Sequence, residues 1–419
     1  MAWLPEILPL REQAAIHDTW LKMRLERLVP ELLEREQVDM WLVVCREYNE
    51  DPVIMSLLPA TSMSARRRTI LVFARDAAGN VERLTLSRYG YEGFYAAAWE
   101  PNAETQRDCL ARLIRERDPQ RIGINISPLW AFGDGLSHIE YELLCSALGE
   151  EFLPRLVSAE RLCVGWLERR LPEEITAYSR LVEIGHRIIA RAFSTAVIHP
   201  GITTTDDVVW WMRQTMQDAG LSAWFQPTID IQAPGIAFAF LGDDDARKVI
   251  QPGDLLHCDM GFHYLGLATD QQQHAYVLRP GENDAPQGLR EALAIGNRLQ
   301  DIHLAEMQVG RCGNEVLSAA LTKAQAEGIR AQIYSHPLGV HGHAAGPLIG
   351  LWDQQSGVPG IGDYPLYDDT VYSIELNIAH NVPEWGGQAV RIMLEEDAAL
   401  TNGEMRWLHG RQESLYLVG

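Results

Sequence analysis

The stretch SHPLGVHGHAAGP, residues 335–347, places three histidines, His336, His341 and His343, within eight positions. The glycines between them rule out the helix-borne spacing of a His-x-x-x-His metal site. A glycine-rich strand or loop passing close to a substrate fits instead. An imidazole can serve there as a metal ligand or as a proton carrier near neutral pH.

Two acidic pairs stand on either side of that stretch. The segment GDLLHCDMGFHYLGLATDQQQHAYVL reads as two strands, 255–262 and 268–278, joined by a short loop containing Gly266. An antiparallel hairpin centred between Tyr264 and Leu265 sets Asp259 opposite Asp270, with β-carbons roughly 5 Å apart. Two carboxylates that close repel unless they are protonated or neutralised by a cation. For an isolated Asp-x-Gly, one buried and one solvated aspartate is the plainer alternative. Further on, TVYSIELN and AVRIMLEEDAALT flank the turn HNVPEWGGQ. Centred on Trp385, this second hairpin pairs Glu375 with Glu395. A glutamate inside the apolar run VYSIELNI is costly to bury without a partner. Glu395 and Glu396 point to opposite faces, so one joins the pair and the other is expected to be a solvated surface acid.

Four carboxylates on two hairpins, with histidines between them in sequence, compose a plausible dinuclear metal site. Oxygen ligands with one imidazole suit Mn2+, Zn2+ or Co2+, and without thiolates the metal is not strongly specified. Two ions about 3.5–4 Å apart can hold a bridging hydroxide and polarise a carbonyl. His257, His263 and His274 also fall in the first hairpin. His257 shares the face of Asp259, and it reads either as a support for the site or as a satisfied core histidine.

Positioning these groups requires a sheet backed by helices. LPEEITAYSRLVEIGHRIIARAF opens a helical unit with Pro172 at its first turn, and Ile175, Tyr178, Leu181, Ile184 and Ile188 mark one apolar face. Helical patterns recur at 205–219, 288–308 and 313–327, with strand-rich sequence between and after them. That is an α+β arrangement, helices covering one face of a mostly antiparallel sheet. The N-terminal third differs. DMWLVVC, RTILVFARD and RIGINIS read as buried strands, ETQRDCLARLIRERD as an amphipathic helix, and EQAAIHDTWLKMRLERL as a helix that Pro30 breaks or restarts. The expected domains are therefore 1–162, a smaller α/β unit, and 163–419, the unit that carries the site.

Composition narrows the function. A formal net charge of -21, from 57 acidic and 36 basic residues, disfavours nucleic-acid or anionic-membrane binding. No signal peptide or apolar transmembrane run is visible, and six scattered cysteines without a Cys-x-x-Cys pair suit reduced thiols. A cytoplasmic location is the expectation.

The order Asp, Asp eleven residues on, His, Glu and Glu resembles the pita-bread metallopeptidases: prolidases, Xaa-Pro aminopeptidases and methionine aminopeptidases. The motifs cover roughly 172–419, and the N-terminal third is similar to the creatinase/prolidase N-terminal domain. Methionine aminopeptidases lack such a domain, so the proline-directed branch fits better. The resemblance implies a pita-bread catalytic domain in which Asp259 chelates one divalent metal and Asp270 bridges two. His336 and Glu375 then hold the second metal, and Glu395 bridges. Glu395 is favoured over Glu396 because the family's bridging glutamate lies six residues before a threonine, here Thr401. His343, seven residues after His336, corresponds to a histidine that hydrogen-bonds the scissile carbonyl or shuttles a proton. The activity implied is hydrolysis of the Xaa-Pro bond in dipeptides or short peptides, by a dipeptidase or an aminopeptidase, through a metal-bridging hydroxide. A homodimer is also implied, with the N-terminal domain closing the partner's cleft.

The pattern breaks in two places. The family's histidine shortly before the first metal aspartate is absent from 235–254, where Phe240 or a neighbour stands. Family members commonly read Arg-x-Glu at the last ligand, whereas here Met393 takes that place and Arg391 lies two residues further back. Arg391 either substitutes from a new angle or is solvated. His341 has no clear counterpart and reads as a substrate contact or a rim residue. In the segment between His343 and Glu375, Trp352, Tyr364 and Tyr367 read as structural packing or as a surface for a proline ring. These departures keep two alternatives open: a hydrolase or lyase of the same fold acting on a non-peptide small molecule, and a non-catalytic binding module.

Overall fold

The computed structural model describes residues 3–236 and 248–419, which divide into two compact units. One runs from Leu8 to Leu171, and the other comprises Pro172–Gly419 together with the N-terminal residues up to Ile7. A division after residue 162 would instead cut the helix Glu160–Glu168, whose Leu162, Cys163, Val164, Trp166 and Leu167 are buried.

In the first unit six strands form one sheet, in the order Ala96–Ala97, Val81–Thr85, Arg68–Arg75, Met40–Arg46, Ile122–Ile124 and Leu156–Ser158. The run MWLVVC is buried throughout, as in a strand covered on both faces. The break expected at Pro30 does not occur, and the helix Leu10–Arg35 continues through it. A proline inside a helix costs about 3 kcal/mol. Leu25, Leu28, Val29, Leu32 and Leu33 around it are buried, and each contributes about 1.5–3 kcal/mol. Burial wins.

Among the described residues the second unit carries a nine-stranded sheet. Its main path runs Arg330–Ile333, Thr370–Val382, Gln388–Thr401, Gln271–Val277, Leu255–Met260 and Thr228–Gln232. His336–Leu338, Glu404–Trp407 and Tyr416–Val418 add to it, and only Tyr416–Val418 pairs in parallel. This is the pita-bread arrangement, a mostly antiparallel sheet with helices. Along the hairpin Thr370–Val382/Gln388–Thr401, Ile374, Leu376, Ile378, Ile392 and Leu394 are fully buried in a core shared with Leu289 and Leu293 of the helix Gln287–Glu306. The alternate residues Glu375, Asn377, Met393 and Glu395 point to the other face. A slip of one residue would reverse both faces, so the apolar layer fixes the register. Glu375 pairs with Glu395, as the sequence suggested.

The first hairpin departs from expectation. Asp259 pairs with Gln272 rather than Asp270, and Tyr264 pairs with Leu267. The turn is Leu265-Gly266, with φ of +54° and +74°. Two-residue turns with positive φ at both positions match the strand twist and favour glycine second, which draws the centre one residue past the expected point. The pairing moves by two residues, so the faces are preserved and the two aspartates lie diagonally on one side of the sheet.

Among the described residues no helix is long and apolar enough to cross a membrane, and all six cysteines are free. Because Gly266 must hold positive φ, replacement by valine is expected to destabilise the protein by about 1–2 kcal/mol. Urea denaturation of Gly266→Val against wild type measures this.

Candidate metal centre

The strand Leu255–Met260 supplies Asp259, and Asp270 immediately precedes the strand Gln271–Val277. His336 opens a short strand and pairs with Ser373, which brings it beside Glu375 and, across the hairpin, Glu395. Donor atoms of Asp259, Asp270 and Glu395 lie within 4.8 Å of one another, as do those of His336, Glu375 and Glu395 and those of Asp270, His336 and His343. The structure thus gathers the five residues expected as ligands, with His343 at the edge.

The chemistry of this donor set fits a cation. His336 Nδ1 lies 3.0 Å from the carbonyl oxygen of Pro337, an obligate acceptor, so that nitrogen carries the proton. In the neutral ring Nε2 then presents a lone pair, in the manner of a metal-ligating histidine fixed by its other nitrogen. It faces Glu395 Oε1 at 3.3 Å, Asp270 Oδ2 at 3.6 Å and Glu375 Oε2 at 4.0 Å. Asp259 Oδ1 and Asp270 Oδ1 are buried with no hydrogen-bond partner among the described residues. No Arg or Lys forms an ion pair with these carboxylates among the described residues, where His336 is the partner of three of them. Burial and then the neighbouring Glu395 push Asp259, Asp270 and Glu375 well above the ordinary carboxylate range.

Several groups here escaped the sequence reading. Ser373 Oγ donates to Glu395 Oε1 at 2.6 Å. Gln272 Nε2 donates to Glu375 Oε1 at 2.6 Å and to Glu395 Oε2 at 2.8 Å. Asp397, fully buried, accepts at Oδ1 from the Asp270 backbone N–H at 3.4 Å. The signal that finds them is parity: each lies two residues from a predicted ligand, on the same face of its strand. Trp224 also went unnoticed. Its ring packs edge-on to His343 with centroids 5.2 Å apart, and its indole N–H donates to Thr269 O. A Cβ on Gly342 would collide with that ring, which gives the glycine beside His343 a steric reason.

The remaining candidates divide. His343 is exposed on one side and packs edge-on to His336 at 4.7 Å between centroids. Desolvation of the ring and the nearby His336 hold its pKa below the usual histidine value. His341 lies half-buried on the intervening loop, outside the three donor groupings found among the described residues. Arg391, half-buried, is held by Gln332 Oε1 at 2.6 Å and Asn377 Oδ1 at 2.7 Å and pairs with no carboxylate among the described residues. The surface position expected for Glu396 is wrong. It is fully buried on the helix side and bonded by His186 at 2.6 Å, Gln273 at 2.7 Å and the Gln412 backbone N–H at 2.9 Å. Three neutral or cationic donors replace the water it was expected to need.

His257 joins both of its readings: it is buried, and it contacts Asp230 and Gln272. His263 reaches Val340 O. His274 is a satisfied core histidine, accepting from Met393 N and pushed down to about 3 by burial. Tyr364 packs against Tyr367, and Trp352 is 53% exposed. Phe240 lies outside the described residues.

A model of metallopeptidase family M24 matches residues 180–402, more than half of the chain. No curated protein sequence matches it. Solved structures similar to it include an X-Pro aminopeptidase from Thermotoga maritima MSB8, at 18% identity and TM-score 0.65, covering 92% of this chain and 99% of that one. The dipeptidase PepE from Mycobacterium ulcerans is 16% identical with TM-score 0.63, covering 96% and 98%. An Xaa-Pro dipeptidase from Bacillus anthracis is 15% identical with TM-score 0.59, covering 96% and 99%. At these identities the likeness is one of fold.

The raised carboxyls make a prediction about pH. Between the ordinary carboxylate range and their raised values, the cation-free folded state binds more protons than the unfolded chain, so its stability falls as pH rises through that window. Chelated protein is therefore expected to melt lower at pH 8 than at pH 5.5, and added Mn2+ is expected to restore more at the higher pH. Asp270→Asn is expected to flatten the dependence and to stabilise the cation-free protein at pH 8 by on the order of 1 kcal/mol. Thermal denaturation across this range checks all three.

Proposed function

Because the chain belongs to metallopeptidase family M24, we propose that it is a metal-dependent peptidase cleaving the Xaa-Pro bond of dipeptides or short peptides. Asp259, Asp270, His336, Glu375 and Glu395 would hold two divalent cations, Mn2+, Zn2+ or Co2+ being suited to this donor set. The observation that carries the reading is the convergence of His336 Nε2 with three carboxylate oxygens, 3.3–4.0 Å away, with no Arg or Lys among the described residues to neutralise them. The names of the similar solved structures, an X-Pro aminopeptidase and an Xaa-Pro dipeptidase among them, support proline as the residue recognised.

Bound cations would supply Lewis acidity toward the scissile carbonyl and a water of lowered pKa. The chain's own groups do the rest. His343 stays neutral at physiological pH because its pKa is lowered, so one ring nitrogen can take a proton while the other gives one. It stands beside both Asp270 and His336, within reach of a carbonyl bound at the cluster. Trp224 presents an apolar ring next to it, suited to stack on a pyrrolidine. Arg391 lies on the face of Glu375 and Glu395 and brings positive charge for a substrate carboxylate, with His341 on the loop as a further contact.

Met393, standing where the family carries arginine, favours one second reading: the same metal chemistry on a non-peptide amide or small zwitterion. A panel of Xaa-Pro dipeptides and non-peptide amides, assayed with Mn2+-loaded protein, separates the two. Turnover of prolyl peptides is expected for wild type and is expected to vanish in Asp270→Ala. His343→Ala is expected to lower kcat by about 10²–10⁴ at unchanged metal content. Equal rates in wild type and Asp270→Ala on every substrate would sink the enzymatic reading.

A further inference from the structure

The run Gln271-Gln272-Gln273 is unusual in that three consecutive glutamines are at most 4% exposed. Burying so many amides is costly unless each is matched by hydrogen bonds, and the strand alternation sends them to different places. Gln271 Nε2 donates to Val182 O in the helix Pro172–Ala192. Gln273 Nε2 donates to Glu396 on that same helix side. Gln272 alone faces the carboxylate cluster.

Its amide is fully committed there. Both Nε2 hydrogens go to carboxylates, one on Glu375 Oε1 at 2.6 Å and one on Glu395 Oε2 at 2.8 Å. Reversing the amide would set its carbonyl oxygen against two carboxylates, so this orientation is fixed by its partners. The carbonyl Oε1 then accepts from His257 Nε2 at 2.9 Å, and His257 Nδ1 lies 3.0 Å from Asp230 Oδ2. A continuous chain thus runs from Asp230, on the strand Thr228–Gln232, through His257 and Gln272 to both glutamates. It crosses five adjacent strands of the sheet.

The consequence lies in which oxygens remain. With Glu375 Oε1 and Glu395 Oε2 tied to one nitrogen, the other oxygens, Glu375 Oε2 and Glu395 Oε1 (the latter also accepting from Ser373 Oγ), turn toward His336 Nε2 at 4.0 and 3.3 Å. Groups that orient metal ligands in this way are commonly worth 10–100-fold in metal affinity. We propose that Gln272 is a positioning residue for the metal centre: its amide, aligned by His257 and Asp230, clamps Glu375 and Glu395 so that one oxygen of each faces His336. The assignment rests on the metal-centre reading given above.

The test is Mn2+ binding to chelator-stripped full-length protein, followed by titration calorimetry, with circular dichroism confirming the fold of each variant. Gln272→Met keeps length and volume but removes both donors, and it is expected to bind Mn2+ 10–100-fold more weakly. Gln271→Met removes a glutamine that faces away from the cluster and is expected to stay within twofold of wild type, which separates positioning from a general loss of packing. Asp230→Ala, at the far end of the chain, is expected to fall between the two. Should Gln272→Met fail to fold, Gln272→Asn retains the amide but draws it back by one methylene, and the same weakening is expected. Tight binding by wild type, its loss in Asp270→Ala and unchanged affinity in the Gln272 variant would overturn this proposal while leaving the metal centre standing. Equal, weak binding by wild type and Asp270→Ala would overturn both.

Discussion

The constraint on which the catalytic unit depends is the mutual repulsion of carboxylates held together in low dielectric. Asp270, Glu375 and Glu395 converge around one imidazole, Asp259 lies against Asp270 and Glu395, and Asp397 is close behind. Unlike charges in water, such groups cannot simply move apart, because each is fixed to a strand whose opposite face is locked into the core. At about 4 Å two like charges repel by several kcal/mol even at an effective dielectric of 20. A fold that keeps this arrangement is spending stability on it, a cost that protonation or a bound cation relieves. Strain of this kind points to function because packing alone would never select it.

The sheet can bear that load because its two faces have separate duties. On the helix side, Ile374, Leu376, Ile378, Ile392 and Leu394 form a continuous apolar layer. On the other side the same strands present Ser373, Glu375, Asn377, Glu395 and Asp397. The apolar layer sets the register, and the register sets the distance between carboxylates. Glu396 is the one charge that parity forces onto the apolar side, and the protein answers it with His186, Gln273 and the Gln412 backbone. His186 itself contacts the exposed His409 at 3.0 Å, so this buried acid is tied outward toward solvent rather than inward toward the cluster.

How much of this was legible in sequence follows from the same parity. The Glu375–Glu395 pairing could be read because a turn marked by Pro383, Gly386 and Gly387 lies between two long apolar strands, and one centre fits both. The Asp259–Asp270 hairpin was misplaced by one turn residue, since Leu265 at positive φ is not a signal that residue type gives. The error moved the pairing by an even number, so the faces survived it and the two aspartates were still assigned to one site. Pro30 and Glu396 were misread for a different reason. In each, a local rule (proline breaks helices, acids seek water) lost to tertiary contacts that no local window contains. The Asp230–His257–Gln272 chain was illegible because it joins residues from three separate segments, and its members look like ordinary strand polar residues until the register is known.

That chain also bears on why the site departs from its family pattern where it does. In 388–401 the strand offers Met393 rather than arginine two residues before Glu395, and Arg391 is engaged by Gln332 and Asn377 instead. A guanidinium at Met393 would have been a donor aimed at the glutamates from within their own hairpin. Here the donor comes from the neighbouring strand, as the neutral amide of Gln272. The two solutions differ in charge. An amide holds the carboxylate oxygens without cancelling their charge, so more of the negative potential remains available to an incoming cation. The hydrogen bonds of the cluster therefore orient its anions without neutralising them, which on the reading proposed above is left to a bound cation.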